Sequence, residues 1–118
     1  MMFFPYDTHF VEPIAAANPG LAEEHDRDIF LRRLIDILRN DPGWLEVTPS
    51  ISAELRHALI TTCYTRIEEH EEVIDMIRQG FEAGYHTIPP EKAAAVHTDT
   101  VASLRALIVT LQSIEQDE

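Results

Sequence analysis

The chain is short of most residue types that announce a chemistry. One cysteine in 118 residues allows no internal disulfide and suits a reducing compartment. Four glycines leave little material for a phosphate cradle, and no Gly-x-Gly-x-x-Gly, Walker or Gly-x-Ser-x-Gly pattern occurs. Positive charge is scarce as well. Nine Lys and Arg, with Lys92 the one lysine, face twenty-one Asp and Glu, for a formal net charge of -12. A duplex nucleic-acid binder needs cationic surface to displace phosphate counterions, so that class is excluded. No uninterrupted apolar run approaches the ~20 residues of a membrane span. The opening Met1-Met2-Phe3-Phe4-Pro5-Tyr6-Asp7 lacks the basic flank of a secretory signal. These absences lead us to expect a cytoplasmic chain without nucleic-acid or membrane partners. The preference for Arg over Lys hints at a bacterial or phage genome rich in GC.

What the chain does have is apolar periodicity. With 45% apolar residues it can bury a core, and its length suits a single domain over residues 1–118. Residues 1–17 carry Phe3, Phe4, Tyr6 and Phe10 with Pro5 and Pro13 and no clear period, which reads as an extended aromatic arm with at most a helical turn after Pro13. Asn18-Pro19 is a cap followed by a first-turn proline, and Phe30, Leu31, Leu34, Ile35, Ile37 and Leu38 make a helical face, so a first helix is expected over 19–40. Asn40-Asp41-Pro42-Gly43 ends it, and Trp44 is expected to be tucked into a loop. A second helix over 49–80 follows from the seam Leu55, Leu59, Cys63, Ile67, His70, Ile74, Ile77 and Phe81, with a kink allowed at Thr61, Thr62 and Thr65. A third, over 90–116, carries Val101, Leu104, Leu107, Ile108, Leu111 and Ile114. The expected fold is therefore all-α. Three main helices form a compact bundle, an antiparallel hairpin with one helix across it, and the arm lies on top.

Catalytic chemistry finds few footholds here. Glu54-Leu55-Arg56-His57 is a Glu-x-x-His, but di-iron bundles need that motif twice. Cys63 lies on the apolar side of its helix with no histidine at a helical neighbour position, the setting of a buried thiol rather than a nucleophile. His70 sits in the apolar seam among Glu68, Glu69, Glu71 and Glu72. Antiparallel pairing about residue 85 brings it within about one turn of His97. A buried, satisfied imidazole pair is the plain reading of that contact, and a metal- or proton-responsive pair is the sharper one. Neither an enzyme nor a bound cofactor or metal is expected.

The acid is unevenly placed. Glu68, Glu69, Glu71, Glu72, Asp75 and Glu82 stand against Arg66 and Arg78 alone, and Glu68, Glu72, Asp75 and Glu82 share one helical face. Such a ridge, with Tyr64, Tyr85 and Trp44 as aromatic anchors, suits the basic surface of a partner protein. The function expected is a small acidic protein-binding module of the inhibitor, immunity or adaptor type. A homodimeric structural subunit, closed by the arm or by the wide helix faces, is the alternative. A metal- or pH-responsive bundle built on His70 and His97 comes third.

Overall fold

Helices fill the described residues, 8–47, 51–79 and 90–116, of what is a computed structural model. In chain order they are α1 (Thr8–Ala17), α2 (Pro19–Ala22), α3 (Arg27–Asn40), α4 (Trp44–Val47), α5 (Ala53–Arg78) and α6 (Pro90–Gln116). The class is all-α, as the periodicity predicts, with no strand among the described residues. α5 and α6 form the hairpin, and α3 packs against both. Each hairpin helix is ~40 Å long at ~1.5 Å per residue, which accounts for most of the 46 Å long axis of the molecule.

The main core joins all these layers. Phe30, Leu31, Leu34, Ile35 and Leu38 of α3 meet Leu55, Leu59, Cys63 and Ile67 of α5 and Val101, Leu104, Leu107, Ile108 and Leu111 of α6. A second, smaller cluster lies further along the hairpin, where Ile74 and Ile77 pack with Ala93 and Ala94, and Val73 rests against them. One charged side chain is fully buried among the described residues, Arg56 at 1% exposure. It lies beside Leu55 and Leu59 on the inward side of α5 and takes part in an interaction, while its Nε makes no hydrogen bond to the described residues.

Four local departures from the sequence expectation occur. Residues 8–17 are helical rather than an extended arm, because Phe10, Val11, Ile14 and Ala15 fall at helical spacing and all are buried. Pro13 sits inside that helix on its exposed side, where the carbonyl it leaves unanswered can meet water. α1 then stops before Pro19, with the Asn18 side-chain amide donating to the Ile14 carbonyl at 2.8 Å. Residues 1–7 of the expected arm lie outside the described residues.

The helix expected over 19–40 is broken in two. A continuous helix would place Leu21 roughly 100° away from the centre of the Phe30–Leu38 stripe, yet Leu21 is buried at 2% exposure. The break over 23–26 turns it inward, and Asp26 starts α3 afresh by accepting from the Ile29 N–H at 3.0 Å. Trp44 opens a single helical turn instead of a loop. α5 likewise begins later than expected. Its cap is Ser52, whose hydroxyl accepts from the Leu55 N–H at 3.2 Å, while Thr48-Pro49 and Gly80, the expected ends, lie outside the described residues.

The threonine stretch does not interrupt α5. Thr62 donates to the Ala58 carbonyl at 2.8 Å and Thr65 to the Thr61 carbonyl at 3.2 Å. Thr98, Thr100 and Thr110 of α6 do the same, four residues back. α6 also qualifies the expectation about membranes, since Glu91–Ile114 has the length and composition of a span, with mean hydropathy 1.2. In the fold its inner positions are buried against the bundle, while Asp99 and Arg105 lie on exposed positions.

The docking of α1 is testable. Phe10→Ala should lower unfolding stability by about 3–5 kcal/mol, the cost of truncating a fully buried phenylalanine. Urea denaturation followed by circular dichroism measures it, and a change below ~0.5 kcal/mol would mean that the segment lies loose.

Candidate functional site

The rotation of α5 sorts its acid into three groups. Glu68, Glu72 and Asp75 point directly away from the core and are exposed, and none of them forms an ion pair with the described residues. Tyr64 and Met76 stand at the two ends of that face, 47% and 45% exposed. From Tyr64 to Met76 the face runs ~18 Å along the helix. Glu69 and Glu71 lie on its two flanks and are both engaged. Glu69 takes both terminal nitrogens of Arg32 on α3, at 2.8 and 2.9 Å. Glu71 accepts from Arg105 on α6 at 3.4 Å. The Arg32 guanidinium holds the Glu69 carboxyl below the usual carboxylate range, with partial burial working against it.

The remaining expected contact residues divide. Trp44, on α4, is half-buried against the main core rather than displayed on α5. Glu82 and Tyr85 lie outside the described residues. The structure therefore brings Tyr64, Glu68, Glu72 and Asp75 onto one surface and assigns Glu69 and Glu71 to helix–helix contacts.

Sequence reasoning missed the polar node beneath this surface. Asp36 on α3 accepts from Arg66 of α5 at 2.7 Å and from Arg39 at 3.1 Å, both through Oδ1. Arg39 also donates to the Ser103 hydroxyl of α6 at 3.0 Å, so the Asp36–Arg39 pair ties α3 to both hairpin helices. Arg66 is only 12% exposed and Arg39 21%. The signal was present in the sequence: Arg32, Asp36 and Arg39 share one edge of α3, and Glu69 and Arg66 present the opposite signs in reverse order on the antiparallel α5.

His70 and His97 meet between α5 and α6. Their Nδ1 atoms are 2.9 Å apart, and the ring centroids are 5.1 Å apart with the planes tilted by 43°. One ring must donate its Nδ1–H and the other must offer a lone pair. No group of three or more His, Cys, Asp or Glu side chains that could hold a metal ion occurs among the described residues. Glu54 and His57 stand exposed in the first turns of α5 and acquire no second motif. Burial pushes the Cys63 thiol up to about 11, so it stays protonated at neutral pH and is a poor nucleophile.

The node and the flanking pair should differ in weight. Asp36→Asn leaves two half-buried guanidiniums without their carboxylate and should cost about 1–3 kcal/mol. Glu69→Gln removes a largely exposed pair and should cost less than ~1 kcal/mol. Parallel urea titrations of the two variants give the comparison, and equal losses would contradict it.

Comparisons with protein-family models, with curated proteins and with solved structures find no match for this chain.

Proposed function

We propose that the protein is a small acidic protein-binding module of the inhibitor, immunity or adaptor type, which presents the outer face of α5 to a basic surface on a partner protein. One observation carries this reading. Neighbouring arginines take up the flanking Glu69 and Glu71, yet Glu68, Glu72 and Asp75 between them receive no cation from the described residues. Like charges four apart work mildly against a helix, so a face of this kind is a small cost to the fold. It becomes favourable when a cationic surface approaches, where it steers encounter and disfavours wrong partners. Tyr64 and Met76 supply apolar contact at either end of the acid, the arrangement in which a few anchors hold most of the affinity. The aromatic anchor of this face is thus Tyr64, and Trp44 is part of the protein's own packing.

A second reading, a homo-oligomeric accessory subunit, is favoured by α6. Ala95, Ala102, Ala106, Val109 and Ser113 line its outer face, all exposed, with Asp99 the one charge among them. In so acidic a chain that face is where two copies would repel least. Sedimentation velocity decides between the readings. A dimer that Ala106→Glu converts to monomer supports the second, and a monomer at high concentration removes it.

The first reading predicts a charge-dependent capture. The Glu68→Lys, Glu72→Lys, Asp75→Lys triple variant should fold normally, because all three side chains are exposed. It should lose the proteins that the wild-type chain captures from its own cell extract at low salt. With a purified captured partner, the association rate should fall by about tenfold or more at low ionic strength and become insensitive to salt. Capture or association unaffected by the three substitutions would sink the proposal.

A further inference from the structure

The His70–His97 contact stands at a boundary in the fold. On one side lies the main core, holding α5 up to Ile67 and α6 from Val101 onward. On the other, the described residues of the hairpin pack through the small cluster of Ile74, Ile77, Ala93 and Ala94 with Val73. We propose that the two imidazoles form a proton-sensitive clasp between α5 and α6, closed while one Nδ1 keeps its lone pair and released when both rings are charged.

The chemistry follows from the 2.9 Å separation of the two Nδ1 atoms. With both rings neutral, one tautomer places its proton on Nδ1 and donates to the other. With one ring protonated, the imidazolium donates to its neutral neighbour and the bond is strengthened by charge. A second proton from solvent occupies the remaining lone pair. Two N–H groups then face one another between two like charges, and the contact cannot persist.

The surroundings oppose that second charge. Burial comes first in holding His70 below the ordinary histidine value, followed by His97 of α6 and by Arg66 of α5; Glu69 of α5 opposes them, and Arg39 of α3 adds to them. Glu69 is already engaged by Arg32, and Asp36 is shared by the two arginines. A folded-state value below the unfolded one means that the neutral form is favoured by folding. The corresponding stability is present above the unfolded value near ~6.5 and is lost as pH falls through it. Because the main core does not include the clasp, the loss falls on the distal half of the hairpin, residues 73–79 and 91–98, as a local opening. It stands whether or not a basic partner binds the face of α5.

Hydrogen exchange on the full-length chain reads this directly. Between pH 7.5 and 5.5, after correction for intrinsic rates, amides in 73–79 and 91–98 should exchange about tenfold faster, while amides in 55–67 and 104–111 keep their protection. His97→Asn retains a hydrogen-bonding group near the Nδ1 position but does not titrate, and it should clearly reduce the pH dependence of the distal half, leaving the part that burial of His70 imposes. NMR titration of wild-type His70 provides a reading that needs no variant: its imidazole should take up a proton below the ordinary histidine value. An ordinary value for His70, or equal pH dependence in wild type and His97→Asn, would overturn the clasp. So would protection of the distal half by zinc ion at pH 7.5 that His97→Asn removes, since the pair would then be a metal site.

Discussion

The rotational setting of α5 about its own axis governs everything else in this molecule. Leu55, Leu59, Cys63 and Ile67 turn one side of the helix into the core shared with α3 and α6, and the setting of every other side chain follows. His70 falls into the same seam and meets His97. Glu69 and Glu71 fall to the two sides, within reach of arginines on α3 and α6. Glu68, Glu72 and Asp75 are left facing water. A rotation by one residue, ~100°, would bury acid and expose leucine. The hydrophobic seam thus decides the electrostatics, although it contains no charge.

Net charge alone gave a poor picture of that surface. The excess of acid is locally balanced along the edges of α5, where sign alternates between helices, and unbalanced along its crest. Asp36 shows the other side of the same rule. It is a single carboxylate engaged by two arginines that have little access to solvent, one on its own helix and one on α5, so its charge is balanced locally although the side chain is 45% exposed.

The long periodic segments were legible in the sequence, and the junctions were not. The seam of α5, the stripe of α6 and the meeting of His70 with His97 all follow from 3.6-residue repetition and from antiparallel pairing across a short connection. α1 was missed because Pro5 and Pro13 drew attention from the spacing of Phe10, Val11, Ile14 and Ala15, which was helical all along. The break after Ala22 was missed because Asn18-Pro19 has the sequence of a cap, although Asn18 makes no capping hydrogen bond and the working cap is Asp26; Leu21 was already out of phase with Phe30. Arg56 was passed over as a spacer between Glu54 and His57, when its angular position, next to the Leu55–Leu59 line, already placed it inside. In each case tertiary burial overrode a local signal. The acidic crest was legible for a different reason: exposure is the default for charge, so the face opposite a well-defined seam can be read by subtraction.

The threonines of α5 and α6 have a consequence for what those helices can touch. Each of the hydroxyls of Thr62, Thr65, Thr98, Thr100 and Thr110 is satisfied by a carbonyl of its own helix. Such a side chain presents its methyl group outward and asks little of water. Drying that part of the surface against another apolar one therefore strands no donor. Chemically these positions behave more like valine than like serine, so the two long helices are less hydrophilic than their composition implies.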